Sequence, residues 1–323
     1  MNVIVTGGSG FIGSRLVRRL QASGDQVRIV DLVVQPEFES CTTRADVADP
    51  AAMTQALAGA DLVYHLAAEH RDDVRPAERY YRTNVDGMRA LCAAASRHGI
   101  RRIVFTSTVA VYGLATLDVT EDAQPNPENH YGRSKLAAEE VLRAWRAEDP
   151  ARRIAIIRPC VVFGAGNRGN VHTLLEQIIS GRFLMVGDGG NRKSIAYVDN
   201  VVDALLFLAG LEGDALVNYA DKPDLSMHEL IGIICAASGT RIPHLRLPLW
   251  MGMGAGRLLD LLARARARPY PISAVRIRKF VSESVVNADR LRALGFAPRH
   301  ALADGLALTI RQDFGATTES TSW

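Results

Sequence analysis

Short apolar segments alternate with segments of helical periodicity along the first half of the chain. Runs rich in valine and isoleucine, typical of buried strands, cover residues 2–6, 26–30, 61–66, 102–106 and 153–157. Apolar residues at helical spacing cover residues 11–22, 77–98 and 131–148. Strands and helices in this order fold as right-handed βαβ units. The pattern therefore predicts an α/β fold, a doubly wound parallel sheet with helices on both faces.

The regular alternation of strands and helices stops after about residue 162, and this divides the chain into two parts. Residues 1–162 are predicted to form the sheet domain, and the stretch 195–220, with helical spacing over 198–211, is predicted to return to it. Residues 163–194 and 221–310 are rich in loops, short helices and prolines and poor in strands. We expect these two stretches to form a smaller, mostly helical domain, and residues 315–323 to be a disordered tail.

Composition and charge exclude several classes of protein. The 323 residues carry 38 basic and 35 acidic side chains, a net charge of +3, which argues against a dedicated nucleic-acid-binding protein. The four cysteines form no CxxC pair, as expected for reduced thiols. No charged leader precedes the first strand, and no run reaches the ~18 apolar residues that a membrane span needs. We therefore expect a cytoplasmic protein without a transmembrane segment.

Three glycines spaced three apart connect the first strand to the first helix. They allow a tight turn and a close approach of the backbone to a pyrophosphate, to which the helix start offers free N–H groups. The predicted pyrophosphate-binding residues are Gly7, Gly10, Phe11, Ile12 and Gly13. Asp31, at the end of the next strand, can accept hydrogen bonds from both hydroxyls of an adenosine ribose, which favours NAD over NADP. The alternative is an ordinary glycine-rich turn.

Tyr131 and Lys135 lie four residues apart in a helical segment, so both side chains point to one face. A tyrosine titrates near ~10, and an ammonium nearby favours the phenolate and brings its pKa toward neutrality. We predict that Tyr131 is a general base and that Lys135 assists it while reaching a ribose hydroxyl. The alternative is a surface pair on a solvated helix. Tyr112 has no lysine four residues on and is predicted to pack or to contact substrate.

The motifs together resemble the extended short-chain dehydrogenase/reductase superfamily, and within it the NAD-dependent epimerase/dehydratase family of nucleotide-sugar enzymes. GxxGxxG followed much later by YxxxK is typical of this superfamily, and the resemblance spans about residues 1–310. It implies a Rossmann-type sheet, NAD along its carboxyl edge and substrate in the smaller domain. It also implies Thr108 as the third catalytic residue, which holds the reacting oxygen beside Tyr131, with Ser107 as the alternative.

The same resemblance implies further residues beside the cofactor. These are Asp46, Val47, Leu66, Ala67, Ala68, Asn84 and Pro159. By this resemblance Asp46 lies at the adenine, Asn84 stabilises the active-site region, and Pro159 lies where the chain leaves the sheet beside the nicotinamide. The alternative roles are a helix cap for Asp46 and a buried, satisfied polar group for Asn84.

On the substrate side, the resemblance implies that Asn170 contacts the substrate at a helix start and that Arg192 binds its diphosphate. A guanidinium suits this task because its planar fork can bind phosphate bidentately. Arg192 as a solvated loop residue is the alternative, and Arg276 and Arg278 are both candidates for a second basic contact. Residues 194–198 depart from the pattern of many relatives, which leaves the sugar open and is typical of enzymes for bacterial surface-polysaccharide sugars.

Leucines and arginines share the segment 256–268. A basic amphipathic helix there would permit peripheral contact with a membrane, which would suit a lipid-linked sugar. The alternative is an arginine-rich helix packed on its own domain.

These features predict an NAD-dependent nucleotide-sugar epimerase that oxidises C4 to a keto group and reduces it again from the other face, with no metal. A 4-ketoreductase would use the same residues in one direction, and a non-catalytic dinucleotide sensor would share the fold. A 4,6-dehydratase would need the Asp-Glu pair that this family places after the catalytic threonine, where the chain has Val109 and Ala110. We expect a homodimer with no nucleic-acid partner.

Overall fold

The computed structural model describes residues 1–71, 74–113, 118–242, 246–254, 257 and 274–315. Its strands are β1 (Asn2–Thr6), β2 (Gln26–Asp31), β3 (Thr42–Arg44), β4 (Leu62–His65), β5 (Arg102–Thr106), β6 (Arg153–Pro159), β7 (Val161–Phe163), β8 (Met185–Val186), β9 (Arg192–Lys193), β10 (Ile195–Tyr197), β11 (Ala215–Tyr219), β12 (Leu225–Ser226) and β13 (Arg246–Leu247). Its α-helices are α1 (Phe11–Ala22), α2 (Pro50–Ala56), α3 (Glu78–Tyr81), α4 (Gly87–Arg97), α5 (His130–Ala147), α6 (Asn170–Ile179), α7 (Val198–Ala209), α8 (Met227–Ser238), α9 (Ala274–Val281), α10 (Asp289–Ala293) and α11 (Leu302–Phe314).

Seven parallel strands form the central sheet in the order β11-β6-β5-β4-β1-β2-β3. From β1 the chain first builds outward through β2 and β3, then returns to place β4 on the other side of β1. The strand order therefore reverses between β1 and β4. In open α/β sheets, ligands bind in the crevice at the carboxyl ends of the strands at such a point.

Apolar side chains cover both faces of this sheet, which is why its strands read as nearly continuous apolar runs. One face packs against α1 and α7 around Leu16, Val201 and Leu205. The other packs against α2, α4 and α5 around Leu91 and Leu142. The doubly wound α/β fold predicted from the alternation is confirmed.

Most predicted elements agree with the structure to within two residues. Residues 78–97 form one helical stretch in which a π-helical turn, Arg82–Asp86, joins α3 to α4. In the first half of the chain, the strand β3 and the α-helix α2 were not predicted. β3 has only three residues and none of them is apolar, and α2 has seven residues and depends on its Asp49 cap, whose side chain accepts from the Ala51 and Ala52 backbone N–H groups.

A second apolar core lies outside the sheet and is formed by α6, α8, α11 and β10 around Leu175, Ile234 and Leu306. β11 belongs to the central sheet, where it pairs with β6. Within the described ranges, no helix combines the length and the apolar character that crossing a bilayer requires. The predicted helix over 256–268 lies outside the described residues except for Arg257, as does the tail after Gly315.

Candidate active site

The glycine turn between β1 and α1 leaves no room for side chains. Gly7 has a φ of +72°, and a Cβ there would lie 2.6 Å from the Ala67 nitrogen. A Cβ on Gly13 would lie 2.1 Å from the Gly7 carbonyl oxygen. The cap residue of α1, Gly10, offers no side-chain acceptor to the N–H groups of Phe11 and Ile12. This bare helix start at the strand-order reversal fits a pyrophosphate.

Asp31 is the last residue of β2, on the neighbouring strand. Its Oδ2 accepts a hydrogen bond from the Ser9 N–H at 3.0 Å, and its Oδ1 accepts one from the Val33 N–H at 3.0 Å. These bonds hold the carboxylate against the glycine turn. Each oxygen keeps a second acceptor position, so the group can still receive both hydroxyls of a ribose.

Asp46 does not cap α2, since Asp49 takes that position. The Asp46 carboxylate instead accepts from Arg82 Nη2 at 2.6 Å and from the Ala48 N–H at 2.9 Å. Val47 is buried, and a Cβ on Gly87 would lie 2.9 Å from its Cγ2. The pair lies beyond β3, at the same end of the sheet as Asp31.

Leu66, Ala67 and Ala68 follow β4 directly and pass beside Gly7. His65 precedes them at the end of β4, where its Nδ1 shares a 2.7 Å hydrogen bond with Thr6 Oγ1 and its ring stacks on Phe105. Burial and the charge of Lys135 lower the pKa of His65 to about 3, so the ring is neutral. Across the described chain, His65 Nε2 and Thr106 Oγ1 are the buried side-chain atoms without a hydrogen-bond partner.

Asn84, in the π-helical turn, connects the loop after β4 to α5. Its Oδ1 accepts from the Glu69 N–H at 2.9 Å, and its Nδ2 donates to Ser134 Oγ at 2.8 Å. Ser134 lies between Tyr131 and Lys135 and donates in turn to the Tyr131 carbonyl oxygen at 2.9 Å. Asn84 is therefore a buried polar group with satisfied hydrogen bonds. Through Ser134 it also holds the first turn of α5.

Tyr131 is the second residue of α5, whose cap Asn129 accepts from the Gly132 N–H at 2.7 Å. A Cβ on Gly132 would lie 2.5 Å from the Ala110 carbonyl oxygen, so this glycine lets α5 pack closely on the 3₁₀ turn Val109–Tyr112. Thr108 caps that turn by accepting from the Ala110 N–H at 3.2 Å. The predicted Thr108 and Tyr131 therefore lie on two directly packed segments.

Lys135 is fully buried one turn after Tyr131, which rules out the surface-pair alternative. Its Nζ lies 4.1 Å from the centroid of the Phe105 ring. Burial lowers the pKa of Lys135 to about 7, against the opposing attraction of Glu139. A lysine in this state responds strongly to a new negative charge nearby, because a phenolate or phosphate restores the preference for ammonium.

A buried ion pair lies beneath these residues. Arg158 Nε and Nη2 donate to the two carboxylate oxygens of Glu139 at 2.8 and 2.5 Å, and Ser107 Oγ donates to the same carboxylate at 2.5 Å. Arg158 Nη1 donates to the Tyr112 hydroxyl at 2.6 Å, and that hydroxyl donates to Asn218 Oδ1 at 2.9 Å. Both ionised groups are fully buried.

This network bears on the predicted alternatives for the site hydroxyl and for Tyr112. The Ser107 hydroxyl is committed to Glu139, which leaves Thr108 as the hydroxyl next to the first turn of α5. Tyr112 is buried, its hydroxyl is hydrogen-bonded to Arg158 and Asn218, and burial raises its pKa, so it is a poor base. Glu139 was not predicted. Its position four residues after Lys135, on the same helical face, is the signal that could have revealed it.

The predicted substrate residues lie outside the sheet. Asn170 is exposed at the start of α6, and Arg192 is exposed on β9. Asn191 Nδ2 donates to the Phe280 carbonyl oxygen at 2.8 Å, which holds β9 beside the end of α9, and the exposed Arg278 lies on that helix. The side chain of Arg276 is outside the described part. Pro159 ends β6, at the carboxyl edge of the sheet.

A cleft of about 490 Å³ opens beside Tyr131. Val74, Arg75, Ala77 and Tyr80 line one side, and Asn129, His130 and Tyr131 line the other. This volume suits a ligand of the size of a sugar with its linkage. The cleft thus brings Tyr131 to a space that a substrate can enter.

Several known proteins are similar to this chain in sequence and fold. The sequence profile of the NAD dependent epimerase/dehydratase family matches residues 3–218. The N-acetyl-alpha-D-glucosaminyl-diphospho-ditrans,octacis-undecaprenol 4-epimerase of Escherichia coli O157:H7 is 42% identical over 319 residues, which cover 97% of this chain and 95% of that protein. The 2-alkyl-3-oxoalkanoate reductase of Stenotrophomonas maltophilia (strain K279a) is 31% identical over 326 residues, 95% of this chain and 97% of that protein.

Among solved structures, MoeE5 in complex with UDP-glucose and NAD is similar with a TM-score of 0.76 and 27% identity, over 97% of this chain and 98% of that one. The family resemblance read from the motifs is therefore confirmed. With a profile match over residues 3–218 and a 42% identical relative along nearly its whole length, the chain belongs to the NAD-dependent epimerase/dehydratase family of enzymes.

Proposed function

We propose that this chain is an NAD-dependent 4-epimerase of a sugar joined through a diphosphate to a polyprenol, with N-acetylglucosamine as the first candidate sugar. The observation that carries the substrate is the 42% identity to the Escherichia coli enzyme that acts on such a lipid-linked sugar. The observation that carries the chemistry is the buried Lys135 one turn after Tyr131, packed on the segment of Thr108.

The residues present fit a dinucleotide. The glycine turn would receive the pyrophosphate, Asp31 the adenosine ribose and Lys135 the nicotinamide ribose. Asp46, Val47, the segment Leu66–Ala68 and Pro159 would line the remainder. When bound, NAD supplies the acceptor and then the donor of a hydride.

The side chains of the chain move the proton. Tyr131, as phenolate, accepts the proton of the sugar hydroxyl at C4 and returns it when the carbonyl at C4 is reduced again. Lys135, as ammonium, stabilises that phenolate, and the Thr108 hydroxyl orients the reacting oxygen by a hydrogen bond. The proton and the hydride that leave the sugar would both return to it, so the epimer would form with no net change in oxidation state.

The diphosphate is the feature that lipid-linked and nucleotide-linked sugars share. Arg192 and Arg278 would hold it while the sugar turns between the two half-reactions, and Asn170 would contact the sugar side. These contacts do not discriminate a polyprenol from a nucleoside. A nucleotide sugar is therefore the second candidate, favoured by the likeness to MoeE5 bound to UDP-glucose.

A reductase is the other candidate, favoured by the 31% identity to a 2-alkyl-3-oxoalkanoate reductase. Asp31 argues against a reductase that draws on NADPH, because its charge would repel a 2′-phosphate. We therefore rank the epimerase above the reductase. We propose that it acts as a homodimer, on the cytoplasmic side of the membrane, in the synthesis of surface polysaccharides.

The test is a comparison of substrates without added reductant. Purified protein is incubated with N-acetylglucosaminyl diphospho-undecaprenol in detergent micelles and, separately, with UDP-N-acetylglucosamine, and the released sugars are identified. We expect the 4-epimer from the lipid-linked sugar and little from the nucleotide sugar, with Tyr131→Phe as the inactive control. Turnover of the nucleotide sugar alone would contradict the lipid substrate. Turnover only with added NADH would favour the reductase.

A further inference from the structure

Three consecutive apolar side chains are exposed after β13. Trp250 is 75% exposed, and Leu249 and Met251 on either side are 42% and 43% exposed. Leu184, just before β8, is exposed as well. We call these four residues the Trp250 patch. Single exposed apolar residues are common, but a run of three with a tryptophan at its centre is typical of an interaction surface.

The patch sits on a fixed support. β8 and β13 pair in parallel, and the Gly187 N–H donates to the Leu247 carbonyl oxygen at 3.0 Å. The helical residues 249–254 follow β13 closely, and a Cβ on Gly252 would lie 2.7 Å from Val186 Cγ1. The packing of Gly252 on β8 holds this helix in place. Trp250 is therefore exposed on a helix that packs against β8.

Arginines flank the patch along the chain. The exposed arginines of its two segments, 180–190 and 239–257, are Arg182, Arg241, Arg246 and Arg257. The acidic side chain described in the same segments, 180–190 and 239–257, is Asp188. A tryptophan between leucine and methionine, in segments that also carry exposed arginines, matches the headgroup region of an anionic bilayer, where tryptophan prefers to lie and arginine pairs with lipid phosphate.

We propose that the Trp250 patch docks this enzyme on the surface of an anionic membrane. The proposal extends the proposed function and rests on it in part, because a polyprenol-linked sugar is presented at a bilayer surface. A second copy of the chain is the less fitting occupant. A two-fold contact would place the patch against itself and bring the arginines of both copies together.

The test is binding to vesicles without substrate. The full chain is floated with mixed phosphatidylcholine–phosphatidylglycerol vesicles and with pure phosphatidylcholine vesicles. We expect binding to the anionic vesicles, weakened by high salt, and a loss of affinity on the order of tenfold for Trp250→Ser. Leu249→Ser should weaken binding, whereas Leu294→Ser, which alters a leucine of similar exposure (44%) elsewhere, should leave it unchanged.

Two further measurements distinguish docking on a membrane from contact between two copies of the chain. Arg182→Glu with Arg246→Glu should abolish binding to anionic vesicles while the thermal midpoint stays that of the wild type. If the wild type does not bind the vesicles, or if Trp250→Ser binds them equally well, the proposal is overturned. It is also overturned if the wild type is a dimer that Trp250→Ser converts to a monomer while vesicle binding is unchanged. Vesicle binding without turnover of any lipid-linked sugar would leave the docking surface standing and refute the proposed substrate.

Discussion

Removal of the Glu139 carboxylate should be among the most destabilising single changes in the sheet domain. This carboxylate accepts four hydrogen bonds, from Ser107, from Arg143 and twice from Arg158. In Glu139→Ala the fully buried guanidinium of Arg158 keeps the Tyr112 hydroxyl as its remaining side-chain partner. Breaking a buried ion pair from one side costs about 3–5 kcal/mol of unfolding free energy. The fully buried position of both groups puts this pair in that range.

The measurement is urea unfolding followed by circular dichroism, on wild type and variant at the same pH and without added NAD, since a bound ligand would add its own stabilisation. Glu140→Ala is the matched control, because Glu140 is the next residue of α5 and is exposed. The control should change the unfolding free energy by less than about 0.5 kcal/mol. The slope of the transition should stay unchanged, so that the shift of the midpoint reports stability alone.

A double variant tests the cause of the loss. Glu139→Leu with Arg158→Met removes both charges, so it should be clearly more stable than the sum of the two single variants predicts. If Glu139→Ala unfolds within about 0.5 kcal/mol of Glu140→Ala, the buried pair does not contribute as argued here.

Four further predictions concern the site. Tyr131→Phe should lower turnover by a factor on the order of 10²–10⁴ while NAD binding, measured by titration, stays intact; wild-type turnover would refute its role as the base. NAD should bind more tightly than NADP, and Asp31→Asn should narrow the difference; tighter NADP binding in the wild type would overturn the role of Asp31. No 4-keto-6-deoxy sugar should form from a 6-hydroxylated substrate, since Val109 and Ala110 cannot transfer the protons of a dehydration; its alkaline ultraviolet band would contradict this. Burial lowers the pKa of Lys135 to about 7, so below pH 7 the charged lysine destabilises the folded state in full. The free energy of unfolding should therefore rise as the pH increases from about 7 toward about 10. Lys135→Met should lack this rise in the urea midpoint, and a rise that persists in the variant would place its origin elsewhere.

Elements whose conformation is determined within one short segment of sequence were predictable. The glycine turn, α1 and α5 each combine a spacing with a capping or apolar pattern inside one short segment, and they lie where the pattern indicated. β3 was not predictable, because its three residues carry no apolar pattern and depend on pairing with β2.

Pairings between distant segments were also beyond the sequence. Glu139 and Arg158 meet because α5 packs on the end of β6, and nothing in either segment alone names the partner. Because of the same packing, the Ser107 hydroxyl donates to Glu139 and is less available than that of Thr108 to a ligand. The burial of Lys135 excludes the surface pair, and only the folded structure supplies that burial.

The central claim is that C4 of a diphosphate-linked sugar is oxidised and reduced again within one binding event, with Tyr131 moving the proton. The most direct measurement uses lipid-linked N-acetylglucosamine carrying deuterium at C4, incubated in ordinary water without added reductant. The account predicts that the 4-epimer keeps its deuterium at C4, because the hydrogen removed from that carbon returns to it. Loss of the deuterium to solvent, or inversion at any carbon other than C4, would contradict it.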